Sequence, residues 1–105
     1  MQRWLAILAL ALVPGTGTGQ TAPDPANGAA LAEQLCRGCH LVSPTQRGPV
    51  PDGIPSFMAV AQRPGIDARQ IVATLISPPH PLMPSPPLDT RQMQDVAAYI
   101  LSLRP

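Results

Sequence analysis

The chain has 105 residues, 15 of them proline and 8 glycine, and only three aromatic side chains, Trp4, Phe57 and Tyr99. Its seven basic residues are all arginine and stand against six acids, a net charge of +1. That balance excludes the basic footprint expected of a nucleic-acid binder or of a protein held on anionic lipid.

Met1-Gln2-Arg3 precedes an unbroken apolar run from Trp4 to Val13, after which Pro14, Gly15 and alternating Thr and Gly end any helix. The pattern reads as a secretory signal peptide over residues 1–19. The run is well short of the ~18–20 apolar residues a bilayer span requires, so no stable membrane insertion is expected. Small residues favour cleavage after Gly19, with Ala22 a second site. Export through a cleaved leader places the protein in the periplasm. Loss of Arg3 leaves six arginines against six acids. Residues 20–26 read as a flexible lead-in, and residues 27–105 as one domain.

From Asn27 the pattern turns helical, with Asn27 or Asp24 available as cap and Leu31 and Leu35 on one face. This helix delivers Cys36-Arg37-Gly38-Cys39-His40. Cys-x-x-Cys followed directly by His is the attachment pattern of c-type haem: two thiols add to the porphyrin, and the adjacent imidazole reaches its iron. Residues three apart lie about one helical turn from each other, so both sulfurs meet one edge of a flat macrocycle. A redox dithiol would call for a βαβ setting, and no strand pattern precedes Cys36. A disulfide leaves His40 without a role. Zinc would need Cys36, Cys39, His40 and His80 together, and adjacent Cys-His ligands suit a tetrahedral site poorly.

Residues 43–55 hold Pro44, Gly48-Pro49, Pro51 and Asp52-Gly53-Ile54-Pro55, which makes them loop. Pro55 is expected to start a short helix through Gln62 that Pro64-Gly65 ends. Asp67 and Gln70 form a capping-box pair ahead of a stripe of Ile71, Val72, Leu75 and Ile76. Ser77-Pro78-Pro79 stops that helix, and a second proline-rich loop runs to Pro87. Asp89 and Gln92 repeat the capping signature, and Met93, Val96, Ala97, Ile100 and Leu103 line the last helix. No alternating strand pattern and no internal repeat occurs, so the fold class is all-α.

Haem iron has two axial positions, and His40 fills one. Met58 and Met93 lie on apolar helix faces and read as core. Met83 sits in a loop between Pro81 and Pro84, whose stiffness lowers the entropy lost on holding a thioether at the metal. Met83 is therefore the expected second ligand, and His80, three residues earlier, leaves a bis-histidine alternative open.

Over residues 27–105 the chain resembles the class I c-type cytochromes, the small bacterial ones with one haem. The landmarks are Gly28, Cys36, Cys39 and His40, Pro55-Ser56-Phe57, His80-Pro81-Leu82-Met83-Pro84 and Val96-Ala97-Ala98-Tyr99. The resemblance implies the cytochrome c fold, short helices wrapped around one covalently attached haem c. It implies a close crossing of first and last helices at Gly28 and Tyr99, a carbonyl offered by Pro55 to Nδ1 of His40, and Met83 as distal ligand. Pro51 competes with Pro55 for that role. The lysine ring of better-known members is absent here, so docking through a basic patch does not carry over.

The chain has no paired carboxylates, Ser/His/Asp set or glycine-rich phosphate loop. One-electron transfer is the chemistry that remains, and the chain is expected to be an electron-transfer protein rather than an enzyme. It would act as a free carrier or as the cytochrome subunit of a periplasmic oxidoreductase, its partner a periplasmic redox protein or a membrane redox complex. The alternative is a haem-based gas sensor or peroxidase-like enzyme in which Met83 is labile.

Overall fold

Each helix begins where a side chain supplies the acceptor that its first N–H groups lack. In the computed structural model, which describes residues 9–12, 21–77, 80 and 88–105, these helices are α1 (Pro25–Leu35), α2 (Phe57–Ala61), α3 (Ala68–Ile76) and α4 (Thr90–Ser102). Among the described residues there is no strand, as the all-α expectation requires. The expected signal peptide lies outside the described residues except for 9–12, as does Met83.

Asp24 caps α1, accepting from the amides of Ala26 and Asn27, and Pro25 occupies the first turn, where its missing N–H costs nothing. Asp67 and Asp89 cap α3 and α4, and both capping boxes close: Gln70 accepts from the Asp67 amide at 3.1 Å and Gln92 from the Asp89 amide at 2.9 Å. The α2 boundary differs from the sequence expectation. Ser56 is its cap, so Pro55 stays outside the helix, and its carbonyl is free for another partner. After α2 the chain turns at Gly65, whose φ of 70° suits a residue without Cβ.

α4 is the element on which the others pack, α1 most extensively and α3 and α2 beside it. The α1–α4 crossing is close at Gly28: a Cβ there would lie 2.0 Å from the Asp95 carbonyl oxygen and 2.9 Å from the Tyr99 Cβ. The apolar core joins Ala32 and Cys36 of the first segment to Val42, Phe57, Ala61, Ile71 and Leu75, and to Leu88, Met93, Val96, Ala97 and Ile100. Ile76, expected on the α3 stripe, is exposed at the helix end.

Within residues 20–26, expected from composition to be a flexible lead-in, Thr21, Ala22 and Asp24 make hydrogen bonds to α4. The Arg91 guanidinium donates to the carbonyls of Thr21 at 2.7 Å and Ala22 at 2.8 Å, and the Asp24 amide donates to Asp95 Oδ1 at 2.8 Å. The segment is bound to α4 by its backbone, which residue composition does not reveal. Asp95 also accepts from the Asn27 side chain at 2.8 Å and pairs with Arg91. Asp95 is buried as a residue, but its carboxylate faces half-exposed Arg91 near the surface.

The Asp24 amide, then Asn27, then Arg91 hold the Asp95 carboxyl below the usual carboxylate range against the opposing effect of burial. A depressed acid pKa contributes stability that is complete above the unfolded-chain value near 4 and is lost as pH falls through the folded value. Asp95→Asn is expected to lower stability at neutral pH by about 1–2 kcal/mol and to flatten the loss of stability below about pH 4. Circular-dichroism melts across an acid series check this; superimposable wild-type and variant curves would contradict it.

Candidate haem-attachment site

The site grows from the C-terminal end of α1. Cys36 caps that helix through its amide to the Ala32 carbonyl, and the following turn is closed by Cys39 N–H and His40 N–H donating to the Cys36 carbonyl at 3.1 and 2.9 Å. One turn of backbone thus carries both thiols and the imidazole. Both cysteines are free thiols, Cys36 buried and Cys39 partly exposed. Burial, and secondarily Cys39, pushes the Cys36 thiol up to about 11. That environment suits a neutral sulfur, such as a thioether, and disfavours a thiolate.

His40 is held by its backbone N–H, which donates to the Cys36 carbonyl, and by one ring nitrogen. Its Nδ1–H donates to the Pro55 carbonyl at 2.6 Å, which fixes the tautomer and leaves Nε2 as the free lone pair. Pro55, not Pro51, therefore occupies the acceptor position. The carbonyl is available because Ser56 rather than Pro55 begins the next helical turn. The Leu41 carbonyl accepts from the Phe57 amide at 2.9 Å, and the Phe57 ring tilts against His40 with ring centres 5.3 Å apart. The Val42 carbonyl accepts from the Tyr99 hydroxyl at 2.6 Å. Burial, and then the charge of Glu33, push the Tyr99 phenol up, so it remains a donor at neutral pH.

Sequence reasoning passed over Gln46, which bonds to the same backbone: its side-chain oxygen accepts from Val42 N–H, and its amide nitrogen faces the Arg37 and His40 carbonyls. A single glutamine in a proline-rich loop gives no periodic or motif signal.

The His80 ring lies 6.1 Å from that of His40, with 20° between their planes. Burial and the neighbouring His40 hold it below the usual histidine range. Met83, the expected distal ligand, lies outside the described residues. Among the described residues, no three His, Cys, Asp or Glu side chains gather as a metal site, so the four-residue zinc arrangement weighed above is not assembled. The donor set that is present, two free thiols one turn apart and a histidine with Nε2 open, fits a covalently attached haem.

Comparison with known proteins agrees with this reading. The family model described as Cytochrome c matches residues 25–104. The chain is similar to cytochrome c-552 of Bradyrhizobium diazoefficiens, 41% identical over 93 residues that cover 89% of this chain and 88% of that protein. No solved structure matches. With its helical fold and its Cys-x-x-Cys-His turn in place, the chain belongs to the cytochrome c family, as an electron-carrying class I cytochrome with one covalently bound haem c.

Proposed function

We propose that the protein carries single electrons in the periplasm between a dehydrogenase-type donor and a terminal oxidase or reductase, either free or as the cytochrome subunit of an oxidoreductase. Cys36 and Cys39 hold the haem, His40 is its proximal ligand and Met83 its distal ligand. When bound, the haem supplies a one-electron iron couple. The observation that carries the reading is the 2.6 Å hydrogen bond from His40 Nδ1 to the Pro55 carbonyl, because it orients Nε2 before any ligand is met.

The residues then have separate tasks. The thiols fix the haem edge against the end of α1. His40 donates to the metal with a basicity raised by Pro55. A thioether from Met83 favours the reduced state, which suits an acceptor of electrons from dehydrogenases. Held by both His40 and Met83, the haem would leave no place for a substrate, which supports a carrier over a sensor or peroxidase. The periplasmic assignment rests on the leader-like sequence of residues 1–19. Among the described residues, no helix is long and apolar enough to cross a membrane.

The neutral balance of arginine and acid bears on the partner. With little net field to steer encounter, a permanent or short-range partner suits the chain better than one reached by long-range attraction. The placement of His80 parallel to His40 favours one second reading, bis-histidine ligation.

Two measurements test these assignments. Protein exported with the haem-attachment machinery should show by mass spectrometry a shortened chain bearing one haem that resists acid–acetone extraction; extractable haem contradicts the thioether assignment. Oxidised protein should show the weak near-infrared band of methionine–iron ligation, and Met83→Ala should abolish the band and lower the potential, whereas His80→Ala should retain both. Loss of the low-spin spectrum in His80→Ala with retention in Met83→Ala would establish the bis-histidine reading instead.

A further inference from the structure

Gln46 lies outside the attachment motif, yet its side chain spans the backbone on both sides of His40. A glutamine amide has one acceptor oxygen and two N–H donors. Here Oε1 accepts from the Val42 amide at 2.8 Å, while Nε2 donates to the His40 carbonyl at 3.2 Å and to the Arg37 carbonyl at 3.3 Å. None of these three backbone groups has a backbone partner among the described residues. They are the groups left over where α1 ends and the chain turns through the two cysteines. The Gln46 side chain is half-buried, and its own amide closes a turn onto the Ser43 carbonyl at 3.3 Å.

We propose that Gln46 is a positioning residue for the proximal histidine, setting the strength of the His40–Pro55 hydrogen bond and through it the reduction potential. The proposal rests on the reading of His40 as iron ligand. The physical chain is short. Gln46 clamps the His40 main chain from one side, and Pro55 accepts from its imidazole on the other. Val42 is locked in the same frame by the Tyr99 hydroxyl on its carbonyl and by Gln46 on its amide. Release of the Gln46 bonds lets the turn from Arg37 to Val42 relax, and the 2.6 Å bond from Nδ1 lengthens with it. A weaker bond at Nδ1 makes the imidazole a poorer donor at Nε2, which stabilises the oxidised iron less and raises the potential.

The two substitutions that test this differ in what they remove. Gln46→Ala deletes all three bonds. Gln46→Glu keeps the acceptor for Val42 but sets a carboxylate oxygen against the Arg37 and His40 carbonyls, where two donors stood. In holoprotein of both variants, the His40 Nδ1 proton of the reduced form, followed by NMR, should exchange with solvent at least tenfold faster than in the wild type. The reduction potential should rise in Gln46→Ala; in Gln46→Glu the added negative charge favours the oxidised iron and opposes that rise, so proton exchange is the readout for that variant. A fall in Tm with unchanged proton exchange and potential would show a purely structural role and overturn the proposal. Faster Nδ1 proton exchange in Gln46→Ala with wild-type exchange in Gln46→Glu would also overturn it, by assigning the effect to the Val42 amide. Wild-type holoprotein with no axial-histidine Nδ1 resonance from His40 would instead defeat the ligand reading on which the proposal stands.

Discussion

Where α1 passes α4, the two backbones come so close that a single methyl group on Gly28 would meet the Asp95 carbonyl oxygen at 2.0 Å. The crossing can form only with glycine there, and it sets the direction in which α1 delivers Cys36. One turn further along α4, Tyr99 reaches across to the Val42 carbonyl and pins the chain that follows His40. The opposite side of the crossing is secured by Asp95, which collects the Asp24 amide, the Asn27 side chain and Arg91. A polar clamp on one side and an aromatic strut on the other thus turn one helix contact into a fixed location for the attachment turn.

What the crossing does not supply is bulk. Among the described residues, the buried apolar ones include three alanines and a cysteine, one aromatic ring, and only Val42 and Val96 as large side chains fully removed from solvent. A domain this small seldom holds a stable fold on such a core without a metal, a cofactor or disulfides. The haem would complete the core as well as supply the chemistry: its porphyrin would be the large apolar body that the described side chains lack, tied in, on the function proposed above, by Cys36, Cys39 and the residues that hold the iron. Function and stability then share the same few bonds.

The parts of this arrangement that were legible in the sequence are those written in local pattern. Asp67 with Gln70 and Asp89 with Gln92 announced two helix starts to the residue, because a capping box is a contact between neighbours in the chain. The Cys36–His40 spacing announced the cofactor for the same reason. The groups that escaped notice act across the chain: Asp95 on Asp24, Arg91 on Thr21 and Ala22, Arg104 on the carbonyls of Ala61 and Ile66. Backbone carbonyls carry no residue identity, so a side chain that serves them leaves no signature. Gln46 is the clearest case. Pro55 was separable from Pro51 only once the loop register was seen, since both lie in a stretch where any proline carbonyl is a candidate acceptor.

On this architecture a covalently held haem would be what completes the fold around His40. A direct test uses residues 20–105, the chain left by the proposed leader cleavage, carrying Cys36→Ala and Cys39→Ala and prepared free of haem. Far-ultraviolet circular dichroism followed on heating should show little helix and no cooperative transition, in contrast to a sharp melt of the holoprotein. A cooperative melt of the haem-free chain with helix content like that of the holoprotein would contradict the account.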